Sequence, residues 1–314
     1  MKITRRTFIA MSSALVAAGV HQTGSSEPPT NADHDSLIKK LMAEYEVPGL
    51  ALAILTNGQL TYRQAHGLAN TETDTPVTDA PVFEAASLTK PLMAQVAMRL
   101  VQDGALKLDR PLAKYLKSDH DVADPKRFRQ IAAQHVLSHS TGLPNWHSSR
   151  RPVRQRFQPG TEYAYSGMAF VILQRVVEKI VDTPLQEYMQ ENLFDPLGME
   201  SASLVWRDDY ETRLAHGHLN TGASGRGKMS EANAASSLVC NAVDYAKVVE
   251  NLLEQDAGTP LGLASKTMDT MLTPQITAAE NIAWGLGWGI QQSSSSDTYW
   301  HWGNNGGRYM SFVV

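Results

Sequence analysis

The chain has 314 residues, 42% hydrophobic and 19% charged, an ordinary globular composition long enough for one large domain or two interleaved ones. Its net charge is −4, and because the first 26 residues hold Lys2, Arg5 and Arg6 and no acid, the body is more acidic still, which argues against nucleic acid or an anionic membrane as the main partner. The single cysteine, Cys240, excludes an internal disulfide, and its small-residue setting AASSLVCNA reads as a buried side chain rather than a reactive thiol.

Residues 1–26 read as a twin-arginine export signal: Arg5 and Arg6 precede an apolar run over 8–20 that is too short to span a bilayer comfortably. The expected location is periplasmic or secreted, or membrane-anchored if the signal is kept, since no clean cleavage site follows it. No other membrane contact is expected. Residues 27–35 are polar and proline-containing, as in a linker. A helix is expected from Ser36, with Ser36 as its cap and Leu37, Leu41 and Met42 on one stripe. VPGLALAIL and LTYRQAHG then read as two strands around TNGQ. After Ser87 the pattern turns helical, in LMAQVAMRLVQDG, in IAAQHVLSHSTG ending at Gly142, and in AFVILQRVVEKIVDT continuing into LQEYMQENLF. Strand-like runs return in WGLGWGIQQ, DTYWHWG and RYMSFVV. Strands at both ends predict an α+β fold, an antiparallel sheet built from both chain ends with flanking helices. Segments 36–95 and 236–314 form that sheet domain, and 96–235 is an inserted, mainly helical domain.

Three segments carry chemistry. In FEAASLTKP, Ser87 and Lys90 are three residues apart, which puts a hydroxyl and an amine on one face of a helical turn. The spacing alone is weak, because Ser36 and Lys39 repeat it where a capping serine and a solvated lysine suffice. Pro91 sharpens the Ser87–Lys90 case: tolerated only near a helix start, it fixes Ser87 at or beside the first turn, near free amides, and requires a tight or irregular turn at Lys90. A lysine can take a serine proton only when burial or nearby positive charge lowers its pKa. In PGTEYAYSGMAF, Tyr163 or Tyr165 could present a phenol at a helix tip, or both could be core aromatics. In WHWGNNGG, His301, Trp302 and Gly303 end a strand whose glycines admit either a ligand or a plain hairpin.

Other signals are weaker. His135 and His139 lie four apart but lack the glutamate of H-E-x-x-H, and His216 and His218 lack an acidic or cysteine companion, so no metal is expected. There is no G-x-S-x-G element, and GLGWG lacks dinucleotide-loop spacing, so no cofactor is expected either.

Taken in order, the three segments resemble the β-lactamase and penicillin-binding-protein superfamily, in the branch of class C β-lactamases, D-stereospecific peptidases and related esterases. Ser87 to Lys90 matches S-x-x-K; Tyr165, Ser166 and Gly167 match Y-x-N or Y-S-G; His301, Trp302 and Gly303 match K-T-G or H-x-G. LSHSTGLP, FDPLGM and GLGWG are further family-like stretches, and the likeness runs from about residue 36 to 314. It implies that Ser87 attacks a carbonyl, that Lys90 and Tyr165 relay its proton, and that the amides of Ser87 and Asn304 form an oxyanion hole. His301 would sit beside the relay, and Tyr163 would be structural. It also implies further C-terminal strands and a covering helix beyond Val314. Gly167 replaces the asparagine that grips an acylamino group, and His301 replaces a lysine that attracts a carboxylate. The implied substrate is therefore a small neutral ester, amide or peptide, with a class C-type β-lactamase or a non-turnover penicillin receptor as the alternatives.

Overall fold

The computed structural model describes residues 30–78, 81–116, 124–147, 152–219, 222–224, 227–259 and 261–314; the segment expected to be an export signal lies outside them. The first helix among the described residues is Asn31–Glu44, and its cap is Thr30 rather than Ser36. The Thr30 hydroxyl accepts from the Asp33 amide at 3.3 Å, while the Asp33 carboxylate accepts from the Thr30 amide at 2.9 Å. This reciprocal box satisfies two otherwise orphaned donors and starts the helix inside the expected linker. Its buried face is Ile38, Leu41 and Met42, so Leu37 lies off the stripe assigned to it.

The fold is mixed α/β with antiparallel sheets, as expected. Strand β1 (Gly49–Thr56) pairs with β2 (Gln59–Asn70), and the turn residues Asn57 and Gly58 both take positive φ, the conformation a two-residue hairpin demands. The short β3 (Thr75–Pro76) completes that sheet. The C-terminal strands form their own five-stranded sheet, β12-β11-β10-β9-β8, from β8 (Ile276–Ala279), β9 (Ile282–Trp284), β10 (Gly289–Gln291), β11 (Thr298–Asn305) and β12 (Tyr309–Val313). Thus the two ends of the chain supply separate ladders rather than one. Between them, β4 (Phe83–Ala86) pairs with β7 (Leu238–Cys240), and Ser311 Oγ on β12 donates to the Ala85 carbonyl at 2.6 Å. A side-chain bond thereby draws the C-terminal sheet onto the strand that leads into Ser87.

Helix Thr89–Gln102 is apolar nearly all round, and its Leu92, Met93, Ala94, Val96, Ala97 and Met98 are fully buried. Such a helix has to be the centre of the core. Leu137, Phe170, Leu173, Val176 and Leu286 belong to the same apolar cluster, so one core runs through both the sheet segments and the helical segment 96–235. That segment is mainly helical but also holds the hairpin of β5 (Gly217–Leu219) and β6 (Gly222–Ser224). Among the described residues, no helix is long and apolar enough to cross a membrane.

Candidate active site

Ser87 sits on a strained junction. Ala86, the last residue of β4, has φ +51, a conformation that a residue with a β-carbon adopts only when its surroundings enforce it. The surroundings do so through hydrogen bonds: Thr89 Oγ1 donates to the Ala86 carbonyl at 2.6 Å, the Lys90 amide to the Ser87 carbonyl at 3.0 Å, and Tyr245 Oη to the Leu88 carbonyl at 3.1 Å. The helix proper begins at Thr89, so Ser87 lies just outside it, on a tight i to i+3 turn, as Pro91 required. One consequence differs from expectation. The Leu88 and Lys90 amides are engaged by turn carbonyls and do not stand free beside the serine.

That turn brings Lys90 Nζ to 3.0 Å from Ser87 Oγ. Lys90 is fully buried, and its second partner is the Ala235 carbonyl at 2.6 Å. Desolvation holds the amine well below the usual lysine value of 10.5. The Ala235 loop is itself fixed by Gln174, whose Oε1 accepts from the Ala234 amide at 2.9 Å and whose Nε2 donates to the Ala232 carbonyl at 3.0 Å. A neutral amine in hydrogen-bond contact with a hydroxyl can act as its base.

Tyr165 borders the same site. Its ring centroid lies 4.8 Å from Lys90 Nζ, 4.1 Å from the His139 centroid and 5.6 Å from Trp302, which is stacked at 21°. Tyr163 packs against Trp284 at 5.4 Å and is absent from the cavity lining, consistent with a structural part. Ser166 caps helix Gly167–Val181, its Oγ accepting from the Ala169 amide at 3.1 Å, and so sets where Tyr165 emerges.

Strand β11 supplies the opposite wall by alternation. Trp302 and Asn304 line the cavity, whereas His301 and Gly303 are buried. A β-carbon on Gly303 would lie 2.5 Å from the Ala85 carbonyl and 2.9 Å from the Ser87 amide nitrogen, so only glycine lets this strand approach the serine so closely. His301 donates from Nδ1 to the Trp302 carbonyl at 2.9 Å, and burial, assisted by Lys90, pushes its pKa down to about 3. It is a neutral residue behind the wall, beside the relay but outside the lining.

The cavity measures about 210 Å³ and is lined by Ser87, Asn145, Trp146, Tyr165, Ser236, Trp302, Asn304 and Asn305, none of which carries a formal charge at neutral pH. Gly167 does not reach it. A β-carbon there would meet the Trp146 indole at 2.9 Å, so the space in front of Gly167 is filled by tryptophan. The structure thus gathers Ser87, Lys90, Tyr165, Gly303 and Asn304, and sets Gly167 and His301 behind the first layer. Sequence reasoning missed Trp146, Asn145, Ser236 and Ala235. It weighed His139 only as a metal ligand with His135 and gave it no part in the site. The other histidines weighed as metal ligands are tied to backbone: His135 Nδ1 accepts from the Ala132 amide and His218 Nε2 from that of Thr71, while His216 Nδ1 meets the Ser224 carbonyl. Cys240 is buried, with its thiol pKa pushed up by desolvation.

Known proteins share this arrangement of chain. An unguisins hydrolase of Aspergillus campestris is 25% identical, over 90% of this chain and 59% of its own length. The esterase EstB of Burkholderia gladioli is 27% identical over 54% of this chain and 50% of its own. The chain spans about half the length of the curated relatives it matches. Among solved structures, an octameric penicillin-binding protein homologue from Pyrococcus abyssi superimposes with a TM-score of 0.76 at 22% identity, over 90% of this chain and 69% of that one. A class C β-lactamase gives 0.73 at 20% identity, over 88% and 86%; both likenesses show the fold. The family model described as Beta-lactamase matches residues 34–314, and the chain therefore belongs to the β-lactamase family, whose members include serine β-lactamases, penicillin-binding proteins, esterases and D-aminopeptidases.

Proposed function

We propose that the protein hydrolyses a small neutral ester or amide through an acyl-enzyme on Ser87. The observation that carries this reading is the 3.0 Å contact between Ser87 Oγ and the amine of a fully buried Lys90 at the edge of a cavity. Ser87 Oγ attacks the substrate carbonyl, its proton passing to Lys90 with Tyr165 beside it. The resulting oxyanion accepts hydrogen bonds from the Ser87 and Asn304 amides. Collapse expels the alcohol or amine, which takes up the proton, and water then releases the acyl group by the reverse route.

Two features favour a neutral substrate. The described cavity wall offers side-chain amides, hydroxyls and indoles rather than a cation for a carboxylate. Trp146 also stands where the family's asparagine side chain would project from position 167. With an export signal at its start, the protein would meet this substrate outside the cytoplasm.

The test compares wild type with Ser87→Ala on a short-chain p-nitrophenyl ester, a D-amino-acid amide and nitrocefin. Ester or amide turnover that outruns nitrocefin and vanishes in Ser87→Ala is expected. Nitrocefin turnover as fast as ester turnover would overturn the preference for a neutral substrate. A labelled-penicillin adduct that never releases would point instead to a receptor.

A further inference from the structure

We infer that His139 is the positioning residue for Tyr165, gripping the chain on both sides of it and so fixing its ring beside the Lys90 amine and at the edge of the cavity that holds Ser87. The inference rests on the function proposed above. The His139 carbonyl accepts from the Ala164 amide at 2.8 Å, and its Nδ1 accepts from the Ser166 amide at 3.1 Å. The neighbours of Tyr165 on either side, Ala164 and Ser166, are thus both held through their amides by one residue. Between them the His139 ring lies under Tyr165, with centroids 4.1 Å apart and planes inclined by 30°. His139 itself is fully buried and held at φ +54, which lets its carbonyl and its ring face the same segment. Because Nδ1 accepts, the proton of the neutral ring sits on Nε2, and a second proton would break the bond to Ser166. The ring is further fixed by Phe170 at 5.3 Å and, edge-on, by Trp284 at 5.0 Å. Nothing in this arrangement lets His139 touch a substrate: it does not line the cavity, so it acts through Tyr165.

A double-mutant cycle separates positioning from mere packing. His139→Ala, Tyr165→Phe, the double variant and His139→Asn are assayed in the full chain on a p-nitrophenyl ester. The kcat is referred to active sites counted by fluorophosphonate labelling. Asparagine tolerates a left-handed φ and can place its Oδ1 where Nδ1 stood, so it keeps the Ser166 bond while losing the ring. His139→Ala is expected to lower kcat per labelled site roughly 10- to 100-fold with KM changed less than about threefold, and His139→Asn to recover part of the loss. In the Tyr165→Phe background, which lacks the hydroxyl to be placed, the same His139→Ala change is expected to cost less than about threefold. Effects that multiply fully across the two sites, or a loss that disappears once sites are counted, would overturn the inference while leaving the proposed function standing. Full turnover in Tyr165→Phe would likewise overturn the inference, since no phenol would need placing, whereas only turnover surviving in Ser87→Ala would sink the proposed function.

Discussion

The Lys90 amine stands closer to the Ala235 carbonyl oxygen, at 2.6 Å, than to Ser87 Oγ, at 3.0 Å. A neutral acceptor fixes its position, and among the described residues no carboxylate pairs with it, so desolvation decides its protonation. A lysine whose folded pKa is depressed binds fewer protons when folded than when unfolded, over the interval from that lowered value up to 10.5. Stability should therefore rise with pH across this interval. Lys90→Met, similar in size and uncharged, removes the dependence. We expect it to lower kcat about 10²- to 10⁴-fold, as loss of a general base does. Its stability relative to wild type should be greatest at neutral pH and shrink as pH approaches 10.5, measured by urea unfolding at several pH values. A constant difference across that range would mean that Lys90 is not buried uncharged.

Gly303 makes a sterically specific prediction. A methyl group there collides with Ser311 Oγ and crowds both the Ala85 carbonyl and the Ser87 amide, two of these being backbone that cannot rotate away. Gly303→Ala should push β11 off the serine and separate the Ser87 and Asn304 amides. Losing one oxyanion donor costs about 2.7 to 4 kcal/mol of transition-state stabilisation, so kcat should fall about 10²- to 10³-fold. Fluorophosphonate labelling should slow in parallel, and activity close to wild type would show that β11 contributes no such donor.

His301 predicts an acid-side effect of opposite cause to the usual carboxylate one. Its folded pKa is about 3, and an unfolded histidine titrates near 6.5. The unfolded chain thus binds the extra proton first, and stability falls as pH drops through that window. Relative to His301→Asn, which keeps a donor for the Trp302 carbonyl, wild type should lose up to a few kcal/mol between pH 7 and pH 4. Chemical unfolding at both pH values measures the difference; equal losses in the two proteins would show that His301 titrates normally.

The site was legible where residue type and spacing carry chemistry. Ser87 and Lys90 announced themselves because Pro91 limits where a helix can start, and β11 because glycine marks a close backbone approach. Ala235 was invisible: its contribution is a main-chain carbonyl, which any residue could offer, placed by Gln174 from a distant helix. His139 was hidden for a related reason, since the same letter serves equally as a helix end, and only φ +54 and the distant Ser166 amide reveal its grip. That residue also explains why the helix expected to reach Gly142 stops at Leu137, as a left-handed residue cannot continue it. Likewise the division into two sheets could not be read from strand patterns, which fix where strands lie along the chain but not which edges meet.

Trp146 and Gly167 make the last prediction, and it concerns specificity. An asparagine at 167 is the family's means of gripping an acylamino group, but here its β-carbon would meet the Trp146 indole at 2.9 Å and the Asn145 side chain at 3.1 Å. Asn145 Oδ1 already accepts from the Gly167 amide at 2.8 Å, so the loop is braced against the helix start. Gly167→Asn alone should therefore lose stability and ester turnover without gaining nitrocefin turnover. Trp146 is 52% exposed and can be cut back at little cost to the core. Adding Trp146→Ala should relieve the clash, recover stability and raise the nitrocefin-to-ester ratio of kcat/KM, because the amide would then face the cavity. If Gly167→Asn by itself raised that ratio with stability intact, the indole would not be what excludes acylamino substrates.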